Sequence, residues 1–394
     1  MGEEFPDERS GLLIPGKKKI LIIAGEASGD LHGSGVVKAL LRFSSDVQVY
    51  GVGGGNMRQA GAEMLIDSSR LAVVGITEVL GKLGNLVRVY RQLKKFIKTN
   101  PPALLILIDF PDFNLPLARV AKGRGFPVLY YISPQVWAWR SGRVKKIAER
   151  VHKMAVILPF EVPIFRKIGL EVEFVGHPLL DIADLREQET AFPQGEEWKG
   201  DPLITLLPGS RTKEIKSLLP SMVRAAEILQ ANKPNARFIL ALAPGIRPQE
   251  VKRVLDSSAA IITPVQGQTY RAIRAANLVL VASGTATLEA AILDKPMVIL
   301  YHVSPLSYWI AKAMVKLPWI GLVNIVAGKR VVPELLQEAA QGERIAAEAL
   351  KILEGESYRK EMLQGLAEVR AKLGSPGAAE RVARMALEMI RKSN

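Results

Sequence analysis

The sequence predicts an α/β protein made of two doubly wound parallel sheets, and three observations carry that expectation. Short uninterrupted apolar runs alternate with helical patterns along most of the chain. Two of those runs, 203–207 and 278–281, end in glycine-bearing turns that open helices, as buried parallel strands do. The 394 residues, 48% of them hydrophobic, suffice for two separate cores.

In the first half the apolar runs predict strands over 20–24, 47–52, 104–109, 128–132 and 154–158, with helices over 32–43 and about 83–98. The stretch 177–201, with Pro178, Pro193, Gly195 and Gly200 and no periodicity, reads as a link. The second half repeats the pattern with strands over 203–207, 237–242, 278–281 and 297–301. Residues 343–394 read as helix broken at Gly355 and at Ser375-Pro376-Gly377, and the last helix is expected to return to the first domain. The expected domains are 1–198 with about 374–394, and 199–373.

No cysteine is present, which excludes disulfides, thiolate metal sites and cysteine nucleophiles and suits a reducing compartment. Glu3, Glu4, Asp7 and Glu8 stand where a signal peptide would be basic, so no export signal is expected. Apolar stretches such as 103–108 are far shorter than the ~20 residues that span a bilayer. The net charge of +14 is concentrated: residues 81–170 hold 17 Lys/Arg against 4 Asp/Glu, a local excess of +13. Residues 71–87, Val74 and Leu80 among them, contain only Glu78 and Lys82 as charges. They run into a helix whose Leu83, Leu86, Val87, Tyr90, Leu93 and Ile97 recur at helical spacing, opposite Arg88, Arg91, Lys95 and Lys98. Two readings follow: a membrane-surface helix, or a core helix with solvated lysines. Aromatic residues are too scarce there for nucleic-acid stacking, so no nucleic-acid partner is expected.

The loops after the two strands of the second half carry the strongest chemistry. Gly209-Ser210-Arg211 and Ser283-Gly284-Thr285 can offer backbone N–H groups and a helix dipole to a phosphate, with Arg211 for a bidentate contact. Glu289, one helical turn beyond Thr285, can accept from ribose hydroxyls. The plainer alternative is a pair of ordinary capped turns. In the first half, Glu26, Ser28 and Gly29 follow the first strand in a glycine-punctuated turn that could receive a sugar, a phosphate or a dinucleotide and, with Asp112 and Trp137, line the donor/acceptor cleft; it lacks the dinucleotide fingerprint, and no P-loop exists. Asp109 closes an apolar strand, where desolvation would raise its pKa toward that of a general base; alternatively Asp112 and Asn114 cap the next helix and Asp109 only satisfies a backbone donor. Trp137, in a loop after the next strand, either lines a cleft or packs between domains. The four histidines are scattered, and no G-x-S-x-G elbow is present.

AGEASGD (24–30), VVGITEVL (73–80), IDFPDFN (108–114), SPQVWAWR (133–140), LLPGSR (206–211), ASGTATLE (282–289) and NIVAGKRVVPELLQ (324–337) together resemble the lipid-A-disaccharide synthase family, in order and over essentially the whole chain. The resemblance implies a GT-B fold, two Rossmann-like domains facing a cleft. It implies inverting, metal-independent transfer of 2,3-diacylglucosamine from its UDP derivative to the 6-hydroxyl of 2,3-diacylglucosamine 1-phosphate, with no cofactor, at the inner face of the cytoplasmic membrane. The family's essential aspartate falls on Asp109, its diphosphate-binding arginine on Arg211 and its nucleotide-proximal asparagine on Asn324. The first domain then becomes the acceptor-binding and membrane-docking one, with an anionic membrane surface as partner, and Ser210, Ser283, Gly284, Thr285 and Glu289 become UDP-sugar contacts. The alternative is another sugar-nucleotide enzyme of that fold with a soluble acceptor. With no D-x-D and no clustered His/Asp/Glu set in the sequence, turnover is expected to survive EDTA. Activity lost in chelator and restored by magnesium or manganese would contradict this.

Overall fold

The computed structural model describes residues 16–68, 79–139, 142–183, 195, 198–304 and 317–392, which divide into two compact units. The first comprises residues up to Pro178 together with those from Ser375 onward, and the second is Leu179–Gly374. The division falls at 178/179, ahead of the 198/199 break expected from composition, because 179–183 already form a helical turn belonging to the second unit.

The first unit holds a seven-stranded sheet, β1 (Lys18–Ala24), β2 (Val47–Gly53), β3 (Glu63–Asp67), β4 (Leu104–Ile108), β5 (Val128–Tyr131), β6 (Lys153–Val156) and β7 (Glu171–Phe174), in spatial order β3-β2-β1-β4-β5-β6-β7. Every pairing is parallel. Alternate residues of the same strands feed two cores. Ile20, Ile22 and Ala24 pack with Val36, Val37 and Leu40 of the helix Ala27–Phe43 and with Val382, Ala383 and Ile390 of the final helix Ala378–Lys392. Leu21 and Ile23 pack with Leu93, Ile97 and Leu117 on the other face. The second unit holds six parallel strands, β8 (Leu203–Leu207), β9 (Arg237–Leu242), β10 (Ile262–Gln266), β11 (Leu278–Ala282), β12 (Met297–Tyr301) and β13 (Glu334–Leu336), in order β10-β9-β8-β11-β12-β13.

Four strands escape the apolar-run reading, and all four are sheet edges: β3, β7, β10 and β13. An edge strand is covered on fewer sides, so its sequence keeps polar residues such as Glu63 and Asp67, or Glu171 and Glu173. Lys153 of β6 spans the last pair of strands, 3.0 Å from Glu171 and 3.2 Å from Glu173.

The amphipathic helix runs Val79–Thr99. Val89, Leu93 and Ile97 are its buried stripe, with Leu86, Tyr90 and Phe96 packed against that core. Val87, expected on the apolar face, is instead 42% exposed beside Arg88 and Arg91, since residue 89 takes the inward register. Arg88, Arg91, Lys95 and Lys98 are all exposed. The body of this helix is therefore a core helix with a solvated cationic face. Val74 and the side chains of Leu80 and Leu83, assigned to acyl or membrane contact, lie outside the described residues. Replacing Leu93 with alanine should cost about 2–5 kcal/mol in denaturant unfolding, the range for a fully buried leucine. A cost below 1 kcal/mol would place this helix outside the core.

Candidate functional site

Because all strands of a sheet run the same way, the loops that follow them gather along one edge, and ligands bind where the strand order reverses. In the first sheet that point lies between β1 and β4, which pair with Ala24 opposite Ile108. Glu26 and Asp109 follow those two residues. In the second sheet it lies between β8 and β11, paired with Leu207 opposite Val281, so the loops carrying Gly209-Ser210-Arg211 and Ser283-Gly284-Thr285 are neighbours.

Asp109 falls one residue beyond β4 and turns the chain sharply. It and Phe110 both have positive φ, 43° and 47°. Asp tolerates this region, whereas for Phe it is a strained state costing of order 1–3 kcal/mol. Three contacts hold it. The Asp109 carbonyl accepts from the Tyr130 hydroxyl at 2.5 Å and from the Asn114 amide at 2.7 Å, and the same amide donates to the Ile108 carbonyl at 3.2 Å. The Phe110 ring lies against Gly25, where a Cβ would come within 2.3 Å of it. Gly25 is thus the space into which Phe110 fits. The helix Pro111–Lys122 has Phe110 as N-cap with no side-chain cap, so Asn114 is spent on the turn before the helix and Asp112 pairs with Arg143 at 2.5 Å. Neither is the helix cap that the plainer reading supposed.

The Asp109 carboxyl is pushed up to about 6, first by burial and then by the negative charge of Glu26, against one stabilising hydrogen bond from the Phe110 N–H. Beside it is a pocket of about 260 Å³ whose walls include Asp109, Ser133, Gln135, Arg143 and Glu161. Glu161 has no counterpart in the sequence reading. It is 1% exposed, and accepts from the Ser133 hydroxyl, the Trp137 indole N–H at 3.1 Å and the Leu158 N–H at 3.2 Å. Burial raises its carboxyl to about 7 in spite of those bonds. Trp137 is half-buried and edge-on to Phe160 at 5.0 Å, so its role is to fasten the β5 loop to Glu161. The sequence signal for Glu161 is a lone acid in an apolar setting, Leu158-Pro-Phe-Glu161-Val-Pro, but its side-chain partners are 24 and 28 residues away.

Elsewhere in this unit Glu26 and Ser28 are exposed and Gly29 is buried. Asp30, 4% exposed, accepts from the N–H groups of Gly54, Asn56 and Met57. Gly53 and Gly54, at the end of β2, leave room for that carboxylate: a Cβ on Gly54 would meet it at 2.9 Å. His32 and His177 are held neutral, their pKa values lowered to about 4 and about 3 chiefly by burial.

In the second unit, the nest expected to offer open N–H groups is already engaged. Glu214 Oε2 accepts from the Ser210 and Arg211 N–H groups at 3.0 and 3.2 Å, and Glu214 Oε1 accepts from the Arg211 guanidinium at 2.9 Å. The carboxylate sits so close over Gly209 that a Cβ there would meet it at 2.4 Å. A carboxylate occupies the place expected for a phosphate, and the Arg211 side chain stays 80% exposed. The neighbouring helix Thr285–Ile292 starts from exposed Gly284 with no side-chain cap, Ser283 donates to the Ile320 carbonyl at 3.3 Å, Thr285 is exposed, and Glu289 is half-buried one turn on. Asn324, expected near the nucleotide, holds the following loop. It is 0% exposed, its oxygen accepts from Val331 and Val332 N–H, and its amide donates to the Val332 carbonyl and Glu334. All four hydrogen-bonding positions of its side chain are used internally, so the side chain shapes this loop. Ser217 lies 2.5 Å from His302 Nδ1 and also meets the His302 carbonyl, a surface contact rather than a nucleophile site.

With the geometry described, comparison with known proteins gives two kinds of likeness. The sequence profile of the lipid-A-disaccharide synthetase family matches residues 20–387. Lipid-A-disaccharide synthases of Geobacter sulfurreducens and Syntrophus aciditrophicus are 47% identical over 375 residues and 48% identical over 379, covering 95% and 96% of this chain and 98% and 99% of theirs. Among solved structures, the UDP-GlcNAc 2-epimerase of Neisseria meningitidis superposes with a TM-score of 0.64 at 14% identity, over 94% of this chain and all of that one. A calicheamicin glycosyltransferase gives 0.62 at 15%, over 95% and 99%. These structural likenesses establish the two-domain fold alone.

The raised Asp109 carboxyl predicts linked changes. Between pH 4 and 6 the folded protein holds a proton that the unfolded chain has released, so this group's contribution to stability falls as pH rises through that window. Asp109→Asn removes the penalty: it should raise Tm at pH 8 and leave it nearly unchanged at pH 4, while lowering kcat by about 10²-fold or more. Wild-type kcat should fall below an apparent pKa near 6. A folded D109N with near wild-type turnover would remove Asp109 as the base.

Proposed function

The chain belongs to the lipid-A-disaccharide synthase family, and we propose that its two strand-end clusters divide that family's reaction between them. The reaction is transfer of 2,3-diacylglucosamine from UDP to the 6-hydroxyl of 2,3-diacylglucosamine 1-phosphate, with inversion to the β-1,6 disaccharide and release of UDP. The observation that carries the division is the placement of Asp109, a desolvated carboxylate at the switch point of the first sheet with a pocket beside it. Inversion in one displacement needs a base on the acceptor hydroxyl and charge stabilisation on the departing diphosphate.

Asp109 takes the proton of the 6-hydroxyl as the oxygen attacks the sugar C1. The clamp on its carbonyl matters because a base must hold its position to within a fraction of an ångström. Arg211, Ser210 and the open start of the Thr285–Ile292 helix receive the diphosphate, and Glu289 the ribose. A diphosphate reaching the Ser210 and Arg211 N–H groups displaces the Glu214 carboxylate and takes over its guanidinium partner. No described helix is long and apolar enough to cross a membrane, and both substrates carry acyl chains. The exposed Arg88, Arg91, Lys95 and Lys98 therefore serve as the contact with anionic lipid at the inner face of the cytoplasmic membrane, each worth ~1 kcal/mol near such a surface.

The direct test is to incubate the protein with UDP-2,3-diacylglucosamine and the acylated monosaccharide phosphate. UDP release should require both, and equal release with donor alone would contradict the assignment. Arg211→Ala should lower kcat by about 100-fold and weaken UDP binding in calorimetry, with lysine a poor substitute. Unchanged UDP affinity would move the diphosphate elsewhere. Replacing the four cations with glutamine should reduce co-sedimentation with phosphatidylglycerol vesicles while Tm holds, since none of the four is buried. Undiminished binding would detach this helix from the membrane.

A further inference from the structure

The pocket beside Asp109 carries a charged side chain that the transfer chemistry above leaves unused. Two carboxylates line it, Asp109 and Glu161, and Arg143 is the cation among its described lining residues. Arg143 opens the helix Arg143–Arg150, which is anchored by buried Val144 and Ile147, so the base of the arginine is fixed relative to the pocket. Its guanidinium lies 2.5 Å from Asp112 Oδ1, and the exposures of the two partners differ sharply. The Arg143 side chain is 26% exposed, whereas that of Asp112 is 76% exposed. The cation is built into the wall while its carboxylate partner stands mostly in water. A pair with one side so solvated contributes little to stability, and exchanging that carboxylate for another oxyanion is inexpensive.

The acceptor presents two functional groups, the 6-hydroxyl and the 1-phosphate, carried on the two ring carbons that flank the ring oxygen. When the hydroxyl is at Asp109, the phosphate must avoid both carboxylates and settle against a cation. A guanidinium matches a phosphate with two parallel N–H···O bonds. We propose that Arg143 binds the 1-phosphate of the acceptor, with Asp112 as the internal anion it releases. This pocket then reads both ends of one monosaccharide, and the phosphate fixes which hydroxyl reaches Asp109. The assignment rests on the transfer reaction proposed above and concerns only the acceptor.

The experiment compares the phosphorylated acceptor with its dephosphorylated counterpart in wild type, Arg143→Ala, Arg143→Lys and Asp112→Asn, with UDP affinity and Tm measured on each. Wild type should favour the phosphorylated acceptor in kcat/KM. Arg143→Ala should raise KM for that acceptor by about tenfold or more, as expected for a lost hydrogen bond to a charged group, and the preference for phosphate should collapse. Lysine should restore part of the preference. UDP affinity should not move. Asp112→Asn, which removes the competing carboxylate, should lower acceptor KM. Equal losses on both acceptors in Arg143→Ala, or an Asp112→Asn variant that loses as much as Arg143→Ala, would reduce the pair to a structural contact and overturn the proposal. Active wild type whose Arg143→Ala variant keeps the phosphate preference would overturn the Arg143 assignment alone, whereas wild type that uses neither acceptor would remove the transfer reading and this assignment with it.

Discussion

Parallel strand pairing is the constraint on which the rest depends. In a parallel sheet every carboxyl end lies along one edge, so loops far apart in sequence become neighbours without any interaction between them having to bring them there. Glu26 and Asp109 are 83 positions apart by number and follow strands paired in direct register. The phosphate-type loops after β8 and β11 meet for the same reason. Continuous apolar strands require helices on both faces, and the final helix completes one of those faces in the first unit.

Once the loops are gathered, carboxylates hold them in shape. Asp30 is wrapped by the Gly54–Met57 turn, Glu161 by Ser133, Trp137 and Leu158, Glu214 by Ser210 and Arg211, and Glu334 by Ile320, Gly321 and Asn324. Each supplies lone pairs to N–H groups that a loop cannot pair by itself. Asp109 is the exception in this set. Its backbone carbonyl is clamped twice, yet its carboxylate receives one backbone hydrogen bond and is raised in pKa by burial. The main chain of Asp109 is fixed while its side chain is left largely unengaged, as the proposed base requires. That contrast separates a base from a structural acid more clearly than burial does, since Glu161 is buried more deeply and fully engaged.

How much of this the sequence reveals follows from whether a signal is local. Central strands are legible because burial on both faces writes itself as a continuous apolar run. The edges β3, β7, β10 and β13 are not, because partial exposure removes the run. Asp109 and Arg211 stand out at strand ends with a glycine or proline nearby. Glu161 does not, since its meaning depends on Ser133 and Trp137 in another loop, and Glu214 reads as the third residue of the helix Thr212–Asn232 until its carboxylate is seen over Gly209. Asn324 shows another non-local signal: a polar residue matched to a family position, whose four internal hydrogen bonds to Val331, Val332 and Glu334 no short motif announces. On the Val79–Thr99 helix, neighbouring Val87 and Val89 compete for the core, and only packing decides for Val89.

The charge of the chain follows from the same division of labour. Nearly all of its net +14 resides in residues 81–170, although that segment holds Asp109 and Glu161. A phosphorylated acceptor approaching two carboxylates meets repulsion at short range, where a partly dry pocket weakens screening. Cations placed far away in water would be screened within ~10 Å and could not offset it. Arg143, in the pocket wall, is near enough to do so, and the exposed Lys145 and Lys146 on the same helix extend the positive potential outward. The base can then remain desolvated enough to act near neutral pH without excluding the anionic molecule whose proton it must take.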